Sequence, residues 1–224
     1  MLSECGTHYK VLYLDPPWSY YGDSDKDQAC GKHYNTMPFE ELVELPVKER
    51  MAHPAVGLMW VTSPKLEMGM DLIKAWDLYY RGIAYVWVKT SKKDGHVIEG
   101  QGVRPSIVKP TTELVLAFST QKKGRPLPLL DEGQGQVVYG PRGQHSEKPD
   151  EVRIRIEELF GDVPKLELFA RARYKGWDSW GLEADGPMPA AQAMSPRLRE
   201  RLLKMEEDKV VREIVANLEN LPQE

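Results

Sequence analysis

LYLDPPWSYYGD, residues 12–23, begins as an apolar strand and then breaks on an acid, two prolines and a tryptophan. Proline supplies a carbonyl but no N–H, and its ring holds φ near about −65°. The strand Val11–Leu14 therefore ends, at Asp15-Pro16-Pro17, on a carboxylate and rigidly aimed carbonyls, with Trp18 adding a flat apolar face. Two neighbouring acceptors suit an N–H₂ group, whose two hydrogens need two partners. A planar ring carrying that amine could stack on the indole, a contact contributing on the order of 1–3 kcal/mol. The exocyclic amine of a nucleobase is the most specific ligand of this kind. Taken alone, Asp-Pro-Pro-Trp is equally an ordinary strand-terminating turn.

The chemistry of such an amine is restricted. Its lone pair is delocalised into the ring, so it is a poor nucleophile until acceptors on both hydrogens draw the nitrogen towards a tetrahedral shape. Asp15 would then stabilise positive charge appearing on nitrogen as a methyl group arrives, and the remaining rate would come from alignment with a donor that carries the activated group. A base inside a duplex cannot be reached in this way and must be flipped out or single-stranded.

Working outward, strand-like runs recur at Ala55–Val61, Ile83–Val88, Leu114–Phe118 and Leu166–Ala170. Most are almost continuously apolar, as strands buried on both faces are. Ser63-Pro64 predicts an N-cap and first helical position for a helix running to about Tyr80. Pro149 opens a second helix, with Val152, Ile156 and Leu159 on one face and Gly161 as its stop. Alternation of this kind predicts an α/β fold with a largely parallel sheet. Two polar, glycine-bearing stretches, Gly22–His33 and Ser91–Pro105, leave strand ends and are candidate substrate-handling segments. Residues 1–185 read as one catalytic domain. Residues 186–224 read as a linker and a helical tail, whose Leu198, Leu202, Met205, Val211, Ile214 and Leu218 form an apolar stripe for its own domain or for a partner.

The 224 residues carry 30 basic and 34 acidic side chains, a formal charge of −4, which excludes a globally basic coat. Local clusters remain: Lys89, Lys92 and Lys93; Lys122, Lys123 and Arg125; Arg171, Arg173 and Lys175. These suit phosphate contacts or a solvated surface equally. Cys5 and Cys30 have no metal-ligand or CxxC spacing, and no apolar run approaches membrane-spanning length. A cytoplasmic protein without metal or membrane is the expectation.

DPPW, YNTM (34–37), MWVTSP (59–64), VWVKT (86–90), SEKPDE (146–151), ELFAR (167–171) and GWDSWG (176–181) follow one another in this order. The series resembles the MT-A-seventy family of S-adenosylmethionine-dependent N6-adenine methyltransferases, over roughly Tyr9 to Glu183. The resemblance implies a Rossmann-like methyltransferase fold in permuted order, with the catalytic tetrapeptide ahead of the main cofactor-binding strand. It implies Asp15, Pro16, Pro17 and Trp18 as the catalytic site. Lys148 would meet the carboxylate of S-adenosylmethionine, Arg171 its ribose, and Asp15 also borders the cofactor. Tyr34, Lys89 and Glu113 would face the target base. Glu167 would bind cofactor or pair with Arg171 or another basic residue.

Two departures from the family pattern stand out. Where relatives read Trp-Gly-Asn followed by Glu or Gln, this chain reads Trp180-Gly181-Leu182-Glu183, so that either Glu183 replaces the hydrogen bonds of the Asn side chain to the ribose or cofactor affinity is lowered. Only ten residues precede Val11, where family members often carry an upstream segment whose acid holds the adenine amine. The implied activity is methylation of adenine N6 in DNA. RNA as substrate, a non-catalytic nucleic-acid-binding subunit and, less favoured, N4-cytosine methylation are the alternatives. Nucleic acid is the expected partner, with a homodimer or a related subunit beside it.

Overall fold

The computed structural model describes residues 8–19, 36–100, 107–143, 147–181, 200 and 204. Tyr34, Glu183, the Gly22–His33 segment and the tail beyond 181, except residues 200 and 204, lie outside the described residues.

Strand β1 (Tyr9–Leu14) is apolar at nearly every position because both of its faces are covered. Leu12 and Leu14 enter one core with helices α1 (Phe39–Val43), α2 (Val47–Arg50) and α3 (Leu66–Ala75); Val11 and Tyr13 enter a second with helix α4 (Asp150–Phe160). Strands β2 (Met51–Val61) and β4 (Thr112–Ser119) divide their side chains between the same two cores. Within β2, Gly57 is required by packing: a Cβ there would stand 2.0 Å from the Phe118 ring.

Strands β3 (Tyr79–Thr90), β5 (Val137–Pro141), β6 (Lys165–Leu168) and β7 (Asp178–Trp180) complete a seven-stranded sheet in the order β5-β3-β4-β2-β1-β6-β7. The β1–β2, β1–β6, β6–β7 and β3–β5 pairs are parallel, whereas β4 runs against both β2 and β3. The sheet is thus largely parallel, with β4 reversed. From β1 the chain first builds outward through β2, and only after α4 returns to place β6 on the other side of β1. That reversal is a topological switch point, where ligands of open α/β sheets bind beyond the carboxyl ends of the strands.

Several elements differ from the sequence expectation. Instead of one helix from Ser63 to Tyr80, a 3-10 turn (Ser63–Lys65) leads into α3, without a side-chain cap, and the helix stops at Ala75. Asp77 there adopts a φ of 53°, turning the chain so that the aromatic run from Tyr79 pairs in the sheet. Strand β6 ends at Leu168 rather than Ala170 because Phe169 has a φ of 62°. Strands β5 and β7 were not evident as strands. Helix α4, by contrast, follows its expected limits, from Pro149 as N-cap to Gly161 at a φ of 67°.

Candidate active site

Asp15 follows the last residue of the central strand, and the backbone around it is tied down. The Trp18 N–H donates to the Pro16 carbonyl at 2.8 Å, and the Met37 N–H donates to the Pro17 carbonyl at 2.8 Å. Each carbonyl retains a second lone pair. Lys65 donates to the Ser19 carbonyl, and Trp18 Nε1 donates to the Trp60 carbonyl at 3.2 Å. These contacts bury Trp18 to 4% exposure within the core. The flat stacking face expected of Trp18 is therefore packed against the protein, because residues 36–38 fold over the strand end and pair with it.

The Asp15 carboxylate itself keeps 27% of its side-chain surface exposed and starts a chain of ion pairs. Lys148 Nζ lies 3.0 Å from Asp15 Oδ2 and 3.2 Å from Glu113 Oε2, while Lys89 Nζ lies 2.6 Å from Glu113 Oε1. Sheet register explains the last contact: Glu113 on β4 pairs with Trp87 on β3, so Lys89 is its diagonal neighbour, within reach of a long side chain. Trp60 forms a floor, with Lys148 5.6 Å from its ring centroid, and its Nε1 donates to the Tyr13 hydroxyl at 2.5 Å.

A second ion cluster stands beside the first. Arg153, from the first turn of α4, grips both oxygens of Glu167 on β6, with contacts of 2.9 to 3.2 Å. It also meets Asp150 at 3.0 Å, and its guanidinium lies 3.4 Å from the Tyr174 ring centroid. Asp15 and Lys148 of the first cluster and Arg153, Glu167, Asp150 and Tyr174 of the second line one cleft of about 250 Å³ with Phe169 and Arg171, while Glu113 and Lys89 stand behind Lys148. Phe169 carries the strained backbone noted above. Gly181 lets the end of β7 close on it, since a Cβ there would stand 2.2 Å from the Ala170 carbonyl oxygen. Strain of this kind persists where surrounding packing over-determines it, commonly at ligand sites.

Electrostatics divide the groups. Burial pushes the Asp15 carboxyl above its ordinary range; Lys148 opposes that shift and Glu113 reinforces it. Burial alone would raise Glu113 too, but Lys148 and Lys89 together hold it below its usual value. For Lys148, burial disfavours the ammonium, yet Asp15 and Glu113 more than offset it and its pKa is raised. Burial also raises Glu167, against the pull of Arg153.

Of the residues anticipated from the sequence, the structure brings Asp15, Lys89, Glu113 and Lys148 into one contact chain and sets Glu167 and Arg171 on the same cleft. Among the two pairings foreseen for Glu167, it takes the one with another basic residue, Arg153 rather than Arg171. Arg153, Tyr13, Trp60, Tyr174 and Phe169 were not anticipated. The signal for Arg153 was its place three residues after Asp150 at a helix start, facing the strand that carries Glu167. Trp177 and Trp180 are buried core residues. Among the described residues there is no cluster of His, Cys, Asp and Glu able to hold a metal, and no helix long and apolar enough to cross a membrane.

Comparison with known proteins connects this arrangement to a family. The type II methyltransferase M.MunI of Mycoplasma sp is 34% identical over 193 residues, covering 78% of this chain and 77% of that protein. The mouse N(6)-adenine-specific methyltransferase METTL4 is 25% identical over 81% of this chain and 39% of its own length. A probable N(6)-adenosine-methyltransferase MT-A70-like protein of Oryza sativa is 28% identical, and here the chain spans only 23% of the relative's length. The sheet is that of an α/β Rossmann-like methyltransferase, and the MT-A70 family profile matches residues 9–183. The chain belongs to the MT-A70 family of methyltransferases.

Proposed function

We propose that the chain is an S-adenosylmethionine-dependent DNA methyltransferase acting on the N6 amine of an adenine that is flipped out or single-stranded. One observation carries this reading. At the carboxyl end of the central strand, a partly exposed carboxylate and a pinned proline carbonyl stand together, backed by a cation 3.0 Å away.

The donor set fits the cofactor. The amino-acid end of S-adenosylmethionine carries a carboxylate and an ammonium side by side, and Asp15 and Lys148 offer the opposite charges side by side. Lys148 would take the carboxylate, Arg171 the ribose, and Phe169 an apolar flank, while Glu167, closed on Arg153, shapes the wall. When bound, the cofactor supplies a methyl group on a positively charged sulfur. The order of strands, with DPPW ahead of the ELFAR strand but adjacent to it, supports the permuted arrangement of the fold.

The residues of this chain prepare the amine. Asp15, through the oxygen not held by Lys148, and the Pro16 carbonyl accept the two amine hydrogens. With both hydrogens held in this way, the nitrogen lone pair would be freed from the ring and aimed at the methyl group that a bound cofactor would supply. The nitrogen sheds one proton, and a carboxyl raised above its usual range, as Asp15 is, is a better acceptor for it. Lys148 holds the Asp15 carboxylate in place, Glu113 holds Lys148, and Lys89 holds Glu113. Incubation with DNA or RNA and labelled S-adenosylmethionine, followed by mass spectrometry of the nucleosides, tests the assignment. N6-methyladenine in DNA supports it. Label found only in RNA moves the substrate class, and label on cytosine moves the base.

A further inference from the structure

Strands β3 and β4 are joined by residues 91–111 rather than by a tight turn, and both described arms of this insertion are hung on Lys89. The Ile98 N–H donates to the Lys89 carbonyl at 3.1 Å, and the Lys89 N–H donates to the Thr111 carbonyl at 3.0 Å. Val97 bridges to Thr90, and the Ser91 N–H closes on the His96 carbonyl at 2.8 Å. The residue that anchors the insertion thus also holds Glu113 with its side chain. Because β3 runs parallel to β1, the insertion leaves the same edge of the sheet as Asp15.

On the second arm, Ile107 and Val108 stand 91% and 75% exposed, and Val97 on the first arm is exposed too. Adjacent β-branched side chains left this bare carry no weight in the fold. The other large exposed apolar groups are scattered over the start of β3, the approach to β5, β5 itself and α4. In sequence the insertion is basic on balance: residues 91–111 contain Lys92, Lys93, Arg104 and Lys109 against Asp94 and Glu99. Val108 is five residues from Glu113, a span of at most roughly 18 Å along extended chain.

We propose that Ile107 and Val108 form an apolar wedge that enters the base stack of duplex DNA beside the extruded adenine, with Lys92, Lys93 and Lys109 on the flanking phosphates. This rests on the reading of the chain as a DNA adenine methyltransferase and adds how a paired adenine leaves its stack. Apolar side chains inserted at a base step are a known way of stabilising unstacked DNA, and such a wedge offsets the cost of extruding a base. A second copy of this chain is a poorer occupant of the same surface, since it would bring like charges together.

Two measurements on the full chain decide it. In the first, labelled methyl transfer is followed on native plasmid DNA and on the same DNA heat-denatured. The double variant Ile107→Ser/Val108→Ser should lose roughly tenfold or more in kcat/KM on the duplex and less than about twofold on single strands. Equal losses on both, or no loss on either, overturn the wedge, as does a wild-type chain that modifies only the denatured DNA. In the second, fluorescence anisotropy compares a labelled duplex holding one central abasic site, a ready-made gap in the stack, with the intact duplex. The wild type should prefer the gapped duplex roughly fivefold or more, and the double variant should lose that preference. Lys109→Ala should weaken both alike. If the wild type transfers methyl to no nucleic acid, the methyltransferase reading fails while the binding preference still decides the wedge. Equal affinity of the wild type for the two duplexes overturns it.

Discussion

The two walls of the cleft use the same kinds of side chain to opposite ends. On one side Asp15, Lys148, Glu113 and Lys89 form an open chain of single contacts in which Lys148 is shared between two acids. Glu113 Oε2, though 3.2 Å from Lys148, is buried without an aligned hydrogen bond. On the other side Arg153 closes on both oxygens of Glu167 and sits over the Tyr174 ring. Bidentate, stacked pairs are rigid and specific in geometry; a lysine between two carboxylates can exchange partners with little rearrangement. The first wall is therefore built for groups that change charge or partner during a reaction, and the second for holding shape.

The largest expected effect lies on the first wall. Asp15→Ala should reduce methyl transfer by roughly 10²–10³-fold or more, the usual consequence of removing a preorganised polar group at a reacting centre. Binding of S-adenosylmethionine, followed by calorimetry, should fall much less than the rate, since Lys148, Arg171 and Phe169 remain to hold it. Near-normal turnover in this variant would remove Asp15 from the chemistry and erase the distinction between the walls. Next in size, Arg153→Met should cost about 3 kcal/mol or more of stability by leaving the buried Glu167 without its partner. The double variant Arg153→Met/Glu167→Gln should recover much of that loss in denaturant unfolding. A double variant no more stable than the single one would mean that the pair does more than hold the wall.

A pair of pH experiments sharpens the contrast, because the two neighbours of Asp15 act on it with opposite signs. Asp15 must be ionised to accept an amine hydrogen, and its carboxyl sits above the ordinary range, so the rate should fall with acid before the usual carboxylate pKa is reached. Lys148 lowers that pKa; Lys148→Met should therefore move the acid limb to still higher pH, by about one unit or more. Glu113 raises it, so Glu113→Gln should move the limb the other way. Rate profiles at saturating cofactor would show whether the limbs shift in opposite directions. Two shifts of the same sign would break the proposed chain of contacts.

Much of the first wall was legible before any coordinates, because its residues sit in local patterns: an acid and two prolines ending an apolar strand, a lysine just ahead of Pro149. The second wall was not. Arg153 and Glu167 are fourteen residues apart and meet only because α4 packs back onto β6, a relation with no periodic signature. Strands β5 and β7 escaped notice because they are five and three residues long, and β5 is half-exposed at the sheet edge. The end of α3 turned on one residue, Asp77, whose left-handed backbone no propensity announces. Trp18 was legible as part of a motif but not in its packing: a tryptophan beyond a strand end looks exposed until Met37 pairs beside it.

The smallest effect is the most selective between the walls. Tyr174 belongs to the second wall: its ring face lies 3.4 Å from the Arg153 guanidinium, and its hydroxyl donates to the exposed Asp150 at a long 3.4 Å. Replacing it with leucine keeps apolar bulk and removes the quadrupole, so Tyr174→Leu should cost about 0.5–1 kcal/mol of stability. In an Arg153→Met background the same change should cost almost nothing, since the cation is gone, and a double-mutant cycle in denaturant reads that coupling directly. The acid limb of the rate should not move in Tyr174→Leu, because the Asp15 carboxyl answers to burial, Lys148 and Glu113. A shifted limb would mean that the walls communicate through the cleft and that the division of labour between them is wrong.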